Sequence, residues 1–505
     1  MYVDKTDLMW RMTQLSKYIF LSRPRRFGKS LLSSTLRSFF EGKKELFEGL
    51  KVMQLEQEWE DYPVLHLDLS LAKSQEDATA LRHALSLLVE PYERIFGSNP
   101  SELTPGQKLK GVICRACEQT GKQVAVIIDE YDAPLLEVLQ EEEDLPQFRK
   151  VMQEFYVPLK ACDPYIKFCF ITGITKFSQL SIFSTINNLK NISMRSDFSA
   201  ICGITEQEVK TVFAEDIRLM GEKNDLTGDE MFRKIKEMYD GYHFSSVSED
   251  IYNPFSLLNA LSDGELNSSW FASATPSYLI RQMKYFRTDI TRIDNLEEPS
   301  DSFDVPTEAM TTALPLLYQS GYLTIKGYDR QLQSYTLAVP NQEVRIGFTK
   351  GLMPTYIGLE TGIVQMGFAA KFWRALRMCN LDLALREMQT FLSGIPYVEG
   401  FKKKLEAAAT AEGFYEYTFY LIFNMLNVYV RTQVKCAGGR TDVVVFMSDT
   451  TYVLELKTGE SAQKALEQIN EKGYARPYET DGRHVVKAGI HFNTDTRTID
   501  DWVID

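Results

Sequence analysis

The chain has 505 residues, which is too long for a single hydrophobic core and predicts about two to four domains. Hydrophobic residues make up 44% of the chain and charged residues 25%, as is typical of a globular protein in water. The formal net charge of −13 argues against a protein that coats nucleic acid through bulk positive charge, but it leaves room for a local basic groove.

The sequence predicts a cytoplasmic protein without a membrane partner. The opening "MYVDKTDLMW" is polar and charged and lacks the apolar segment of a signal peptide. The longest apolar region, "FYLIFNMLNVYV" at 419–430, is too short to span a bilayer and contains two asparagines. The seven cysteines are scattered along the chain, which fits a reducing compartment.

The first predicted elements flank a loop with part of a phosphate-binding pattern. "KYIFLS" at 17–22 predicts a short buried strand, and "SLLSSTLRSFFEG" predicts a helix with apolar residues on one side. Between them, "SRPRRFGKS" ends in Gly28-Lys29-Ser30, whereas Arg23 stands where the usual pattern begins with glycine. A basic turn that matches by chance is the alternative, and the strand-loop-helix context favours a phosphate loop.

Three further apolar runs predict buried strands: "YPVLHLDLS" at 62–70, "QVAVIIDEYD" at 123–132 and "IKFCFITGITKFS" at 166–178. Helical stretches separate these runs, and this alternation predicts a parallel sheet covered on both faces. The third strand ends in Asp129 and Glu130. In an ATPase, the aspartate can hold Mg²⁺ through water and the glutamate can polarise the attacking water.

The loop residues have the chemistry that a triphosphate requires. Gly28 lets the backbone approach the phosphates, Lys29 supplies a positive charge, and the Ser30 hydroxyl can bind Mg²⁺. Arg25 or Arg26 could neutralise transferred charge, in cis or across the boundary of a homo-oligomer, or could instead face solvent or nucleic acid. The predicted ATP-binding loop is Arg25, Arg26, Phe27, Gly28, Lys29 and Ser30.

Polar residues also close the fourth predicted strand. Thr172, Thr175 and Lys176 are placed where side chains could sense the terminal phosphate of a nucleotide. The same three residues could equally cap the turn that follows the strand. The sequence leaves both roles open.

The middle of the chain reads as mostly helical. Residues 308–350 predict a helix, a hairpin and a second helix, which resembles a winged-helix module, and an interdomain packing unit is equally compatible. We therefore expect three domains: a nucleotide-binding domain at 1–205, a helical and winged-helix-like region at 206–395 and a separate α/β domain at 396–505.

The last domain carries a second group of charged residues. "GRTDVVVFMS" and "TYVLELKTG" predict a hairpin, in which Glu455 and Lys457 share a face because they are two residues apart. Asp442 would lie alongside, so that Asp442 and Glu455 could bind Mg²⁺. Bound Mg²⁺ activates water, and Lys457 could orient that water or stabilise negative charge. A hairpin with ordinary exposed charges is the alternative.

Three more polar residues lie on the helices around this hairpin. Glu416 precedes it and could add a carboxylate, whereas Gln468 and Tyr474 follow it and could position water or phosphate. Plain packing or surface placement is as compatible with each of them.

These segments together resemble bacterial AAA-ATPase-like proteins fused to a C-terminal PD-(D/E)XK nuclease-superfamily domain. The resemblance implies a P-loop parallel sheet, a helical and winged-helix-like middle region and a C-terminal restriction-endonuclease-like α/β domain. By this resemblance, the arginine-rich loop is a trait of the family. The resemblance also implies that relatives have a further N-terminal stretch before "YVDKT". It is carried by "YVDKTDL", "YPVLHLDLS", "VAVIIDEYDAPLL", "FITGITKFSQLSIFSTINNLKNIS", "MYDGYHFS", "YNPFSLLNAL", "PLLYQSGYLTIKGYD", "GRTDVVV", "YVLELK" and "EQINEKGYARPY".

The resemblance assigns ATP and Mg²⁺ to Gly28, Lys29, Ser30 and Asp129, with Glu130 as a catalytic residue. It assigns a Mg²⁺-dependent nuclease site to Asp442, Glu455 and Lys457. We expect an ATPase whose nuclease-fold domain binds or cleaves nucleic acid, with DNA favoured over RNA. The alternatives are a nucleotide-switched scaffold that binds nucleic acid or protein without cutting, and an ATPase whose last domain serves only assembly.

Overall fold

The computed structural model divides into two compact units. The first comprises the described residues within 1–270, 277–286 and 296–341, and the second those within 287–295 and 342–505. The predicted boundaries of three domains stay a prediction. The structure describes residues 2–136, 138–139, 143–176, 188–247, 249–268, 270, 277–307, 310–356, 363–394, 411–425, 429–436, 439–480, 482–496 and 498–505.

A parallel five-stranded sheet forms the centre of the first unit, in the order β2-β3-β4-β1-β5. The four predicted strands and their parallel arrangement are confirmed. Every residue of β1 and β3 is buried, as continuous apolar runs in a covered parallel sheet require. The strands are β1 Tyr18–Ser22, β2 Val64–Asp68, β3 Val124–Asp129, β4 Ile166–Gly173 and β5 Leu189–Asn191.

Local capping signals position several helices of this unit. A threonine side chain and a glutamine or glutamate three residues later exchange hydrogen bonds with the backbone at the starts of α4, α7 and α9. The helices are α1 Thr6–Leu15, α2 Lys29–Phe40, α3 Ala78–Phe96, α4 Pro105–Thr120, α5 Ala133–Leu136, α6 Asp144–Ala161, α7 Glu206–Val212, α8 Ala214–Lys223, α9 Gly228–Tyr239, α10 Pro254–Asp263, α11 Ser277–Tyr285, α12 Ser300–Phe303 and α13 Leu314–Gln319.

Two small antiparallel sheets complete the first unit. Strands β6 Ile204–Thr205 and β7 Ile251–Tyr252 form a pair. The predicted hairpin is confirmed as β9 Thr324–Asp329 and β10 Ser334–Ala338. The sequence did not predict a third strand, β8 Leu296–Pro299, which pairs with β10.

The second unit contains a mixed five-stranded sheet in the order β11-β12-β13-β14-β15. Only the β13–β14 pair is parallel, and α18 connects those two strands. The sheet has more strands than the sequence predicted, because β11 and β15 extend its edges. The elements are α14 Gln342–Tyr356, α15 Ile363–Arg377, α16 Leu381–Ser393, α17 Ala411–Met425, β11 Tyr429–Cys436, β12 Gly439–Phe446, β13 Thr450–Lys457, α18 Ala462–Lys472, β14 His484–Asn493 and β15 Thr498–Ile504.

The helix α18 lies close against its sheet because β14 carries a glycine at the contact. A Cβ atom at Gly489 would lie 2.0 Å from the carbonyl oxygen of Ala462. Among the helices that the structure describes, none combines the length and the apolar character needed to cross a bilayer.

Candidate functional site

The strand order of the first unit brings three chain segments to one edge of the sheet. Strand β4 lies between β1 and β3, and all three run parallel. Their carboxyl ends therefore meet, as the pairing of Ser22 with Gly173 shows. The loop after β1, the acids at the end of β3 and the polar residues after β4 are neighbours although they are far apart in sequence.

The loop reaches α2 through a glycine in a left-handed conformation. Gly28 has φ +89° and immediately precedes Lys29, the first residue of α2. A side chain there would meet no atom within 4 Å, so the backbone angle and not lack of space favours glycine. Ser30 is exposed in the first turn, where free backbone N–H groups favour anions.

Lys29 is folded back into its own loop. Its side chain is buried, and Nζ donates hydrogen bonds of 3.0 Å to the carbonyl oxygens of Arg23 and Pro24. Burial lowers the pKa of Lys29, whereas the carboxylates of Glu130 and Asp129 raise it.

Arg23, which replaces the first glycine of the usual pattern, has a structural role in the loop. Its guanidinium is buried and donates hydrogen bonds to the carbonyl oxygens of Ser22 at 2.9 Å, Ser193 at 2.7 Å and Phe198 at 3.1 Å. The group also lies 4.1 Å from the ring centroid of Phe244. Burial lowers the pKa of Arg23 to about 10. The side chain fixes the base of the loop instead of facing a ligand.

The other residues of the predicted loop differ in access to solvent. Phe27 is fully buried, with its ring edge-to-face against Tyr242 at 4.7 Å, so only its backbone can reach a ligand. Arg26 is exposed and its guanidinium lies 4.7 Å from the ring centroid of Phe255. Arg25 is half-buried. These two arginines are the solvent-accessible cations of the loop.

The acids at the end of β3 lie at the same edge. Asp129 is buried, and its Oδ1 accepts a 3.0 Å hydrogen bond from the Glu130 amide. Glu130 has φ +49°, a strained angle for a residue with a side chain, and such strain concentrates at functional sites. Burial raises the pKa of Glu130, and Lys29 lowers it. The sequence prediction missed Asp68, which pairs with Asp129 in the sheet and also ends an apolar run.

The polar residues at and just after the end of β4 are engaged inside the protein. The fully buried carboxylate of Asp132 accepts hydrogen bonds of 2.7 Å from both the amide and the hydroxyl of Thr175. The Thr172 hydroxyl donates to a backbone carbonyl of β1 at 2.8 Å, and Lys176 forms an ion pair with Asp304. These contacts tie the three predicted residues to β1, Asp132 and Asp304, and phosphate sensing stays a prediction.

A cavity of about 120 Å³ adjoins the loop at Gly28. Its walls are mainly apolar, which suits the ring of a nucleobase beside a phosphate site. Leu31, the third residue of α2, is 56% exposed and forms part of this cavity. Other wall residues are Tyr2, Met9, Phe27, Ile204 and Leu258.

In the second unit, the hairpin of β12 and β13 brings the predicted nuclease residues together. The amide of Asp442 donates to Glu455 Oε2 at 3.4 Å, and Asp442 Oδ2 accepts from the Leu456 amide at 2.8 Å. Lys457 Nζ lies 3.2 Å from Glu455 Oε1, as expected for residues on one face of a strand. The three candidate side chains form one cluster.

The electrostatics of this cluster suit a divalent cation. Glu455 is 1% exposed, and burial together with the charge of Asp442 raises its pKa to about 7, although Lys457 lowers it. A cation would relieve the repulsion between these two carboxylates. No cluster of three or more His, Cys, Asp or Glu suited to a metal occurs in the described parts of the chain. Proteins usually bind Mg²⁺ through one or two carboxylates together with water and phosphate oxygens, and the two carboxylates of this cluster fit that pattern.

Two of the three additional candidates join the cluster. Gln468 on α18 donates from Nε2 to Glu455 Oε1 at 2.5 Å and to the Tyr474 hydroxyl at 3.3 Å. Tyr474 is buried, and a Cβ atom at Gly439 would lie 2.9 Å from its hydroxyl oxygen. Glu416 belongs to α17, and its side chain lies outside the described residues.

A phosphate-loop sheet in one unit and a carboxylate-lysine hairpin in the other define a class: an AAA-ATPase-like protein with a nuclease-superfamily fold. The family described as "Predicted AAA-ATPase" matches residues 1–183, and the "PD-(D/E)XK nuclease superfamily" matches residues 410–502. The "Uncharacterized protein in vnfD 5'region" of Azotobacter chroococcum mcd 1 is 31% identical over 515 residues, which cover 100% of this chain and 95% of that protein. The chain belongs to the family of AAA-ATPase-like proteins with a C-terminal PD-(D/E)XK domain.

One solved structure, "Structure of Drosophila ORC bound to GC-rich DNA and Cdc6", aligns over 84% of this chain and 70% of that chain. Its identity is 10% and its TM-score 0.23, and a likeness at that level carries no argument about this protein.

Proposed function

We propose that this protein hydrolyses ATP in its first unit and cuts a phosphodiester bond of nucleic acid in its second unit, with DNA favoured over RNA. The observation that carries the proposal is the cluster of Asp442, Glu455 and Lys457. Burial and the charge of Asp442 raise the pKa of Glu455, and Lys457 supplies one positive charge against two carboxylates, so a divalent cation would balance the charge of the cluster.

In the nuclease step, a water molecule attacks the phosphorus, and the bond to one ester oxygen breaks as that oxygen leaves with a proton. Asp442 and Glu455 would hold the Mg²⁺ that assists this step. When bound, Mg²⁺ lowers the pKa of a water molecule and neutralises charge on the phosphate. Lys457 remains beside Glu455 at 3.2 Å, where its ammonium group can stabilise negative charge that develops on the phosphate oxygens. Gln468 holds the Glu455 carboxylate in position through its 2.5 Å hydrogen bond.

In the ATPase step, Lys29 transfers its hydrogen bonds from the loop carbonyls to the phosphates, and the first amides of α2 bind the same anion. Ser30 and Asp129 would hold Mg²⁺, which would neutralise charge on the phosphates. Glu130 accepts a proton from the attacking water, and burial raises the pKa of its carboxylate, which makes it a stronger base. The nucleobase occupies the apolar cavity beside Gly28.

We further propose that ATP turnover gates the nuclease, because one chain carries two sites for metal and phosphate. Cleavage measured with ATP should therefore differ from cleavage measured without it. An ATP effect that survives the loss of Lys29 would contradict this part of the proposal.

The test of the nuclease is a cleavage assay with single-stranded DNA, duplex DNA and RNA, in Mg²⁺ or Mn²⁺. Wild type is compared with Asp442→Asn and Glu455→Gln, which keep the size of each side chain and remove its charge. Asp449→Asn is a matched control, because Asp449 is an exposed aspartate in the turn between β12 and β13. We expect cleavage by wild type and the control only.

Equal cleavage by Asp442→Asn and wild type would rule out the site. A wild-type protein that binds Mg²⁺ at the cluster but cuts none of the three substrates would instead favour the nucleotide-switched scaffold.

A further inference from the structure

A groove in the first unit lies apart from the phosphate loop and has no part in the proposed ATPase step. It has a volume of about 800 Å³ and lies between residues of α6 and α11. Its apolar side includes Leu145, Pro146 and Met310. Its polar side carries the positive charges of Arg149, Arg281 and Lys284.

The charge of this groove is opposite in sign to that of the whole chain. Arg281 and Lys284 are both exposed and lie three residues apart on α11, so they project on the same side of the helix. Within the part of the chain that the structure describes, neither side chain forms an ion pair, and no acidic residue lines the groove. In a protein with a net charge of −13, two exposed cations one helical turn apart in a groove indicate an anionic ligand.

An aromatic side chain lies beside these cations. Tyr285 ends α11 with 74% of its surface exposed, and it lines the same groove. Its ring stands at 83° to the ring of Phe286, with 5.1 Å between the centroids, so that Phe286 supports it edge-to-face. An exposed ring next to cations is the combination with which proteins stack bases and bind the adjoining phosphates.

We propose that this groove binds single-stranded nucleic acid. Arg149, Arg281 and Lys284 contact the phosphates, and the Tyr285 ring stacks on an unpaired base, which a duplex does not offer. The inference extends the proposed function by adding a contact for nucleic acid on the ATPase unit. It rests on different residues from the nuclease cluster and can therefore fail separately.

The test is fluorescence anisotropy of a labelled oligothymidylate of about 12 nucleotides, a length within the usual site sizes of single-strand binders. The full-length protein is used in EDTA, so that no divalent metal is available and no cleavage occurs. The variants are Arg281→Ala combined with Lys284→Ala, Tyr285→Ala and Tyr285→Phe. The control combines Lys44→Ala with Lys234→Ala, which removes two exposed lysines elsewhere in the same unit. Circular dichroism confirms that each variant is folded.

We expect the Arg281/Lys284 double variant to bind more weakly and to reduce the slope of log K against log salt by about 1.4, or about 0.7 for each lost phosphate contact. Tyr285→Ala should weaken binding about tenfold with an unchanged salt slope, whereas Tyr285→Phe should bind like wild type, because stacking needs only the ring. The lysine control should also bind like wild type.

Unchanged binding by both the double variant and Tyr285→Ala would overturn the inference. So would a result in which polyglutamate competes as well as the oligonucleotide and Tyr285→Ala has no effect, because the groove would then bind acidic peptides. Loss of cleavage by the carboxylate variants together with unchanged binding by the groove variants would overturn this inference only. Normal groove binding without any metal-dependent cleavage would overturn only the proposed nuclease.

Discussion

Lys176, three residues after β4, forms an ion pair with Asp304, which directly follows α12. Two further hydrogen bonds support this contact, since the Lys176 amide donates to Gln319 Oε1 at 2.7 Å and the Lys176 carbonyl accepts from the Thr307 amide at 2.9 Å. Asp304, Thr307 and Gln319 are therefore attached to the chain just beyond the edge of the sheet where ATP is proposed to bind.

This ion pair should matter for stability because it is largely buried. Lys176 has 8% of its side chain exposed, and burial lowers its pKa whereas Asp304 raises it. Asp304→Asn leaves an ammonium group without its counter-ion, so we expect the free energy of unfolding to fall by about 3 kcal/mol. Combining Asp304→Asn with Lys176→Met should recover part of the lost free energy of unfolding. Urea unfolding of the single and the double variant measures both free energies.

A surface pair provides the control for that prediction. Glu215→Gln removes one of the two exposed carboxylates that pair with Arg218, the other being Glu222, and should leave the urea midpoint unchanged. An Asp304→Asn protein as stable as wild type would show that the buried pair does not stabilise the folded protein.

Lys29→Ala should abolish ATP hydrolysis. The variant removes the one side chain in the loop whose charge already lies among the carbonyls of Arg23 and Pro24, and we expect turnover to fall by about 100-fold or more. Phosphate release measures the rate, and Lys44→Ala, an exposed lysine, is the matched control. Normal hydrolysis by Lys29→Ala would contradict the assignment of this loop.

Glu130→Gln should separate ATP binding from hydrolysis. The amide keeps the size of the side chain but cannot accept a proton, so we expect retained ATP affinity and a single-turnover rate lower by about 10²–10⁴. Glu118→Gln, at an exposed position on α4, should leave both quantities as in wild type. A variant that loses ATP binding and hydrolysis together would instead indicate a structural role for Glu130.

Asp240 should make stability depend on pH. Its carboxyl is buried next to the end of α9, and burial raises its pKa to about 6, although Lys236 at 3.9 Å lowers it. Because the folded pKa lies above the unfolded value, stability is greatest below the unfolded pKa and is lost as pH rises through about 6.

Asp240→Asn removes that ionisation. We expect the variant to gain about 1–2 kcal/mol of stability relative to wild type between pH 5 and pH 7.5, as measured by urea unfolding at both pH values. A difference between the two proteins that is the same at both pH values would show that Asp240 does not titrate in this range.

Features that depend on neighbouring residues in sequence could be predicted. The strands β1, β3 and β4 are continuous apolar runs, and the glycine-lysine loop and the acids after β3 follow them directly. The contact between Asp442 and Glu455 was also predictable, because a hairpin places nearby residues side by side.

Features that depend on distant partners could not be predicted. The buried Arg23 guanidinium donates hydrogen bonds to the carbonyl oxygens of Ser193 and Phe198, which only the folded chain brings to the loop. The partner of Lys176, Asp304, lies 128 residues away in sequence. The edge strand β15 was missed because "TIDDWVI" lacks the continuous apolar pattern of a buried strand.

The central claim is that this chain carries two sites with separate chemistry. The most direct measurement is Mg²⁺-dependent cleavage of DNA, with and without ATP, by wild type, Lys29→Ala, Asp442→Asn and Asp449→Asn. We predict that Asp442→Asn abolishes cleavage under both conditions, that Lys29→Ala cuts at a rate that ATP no longer changes, and that Asp449→Asn resembles wild type. Cleavage by Asp442→Asn at the wild-type rate would contradict the central claim.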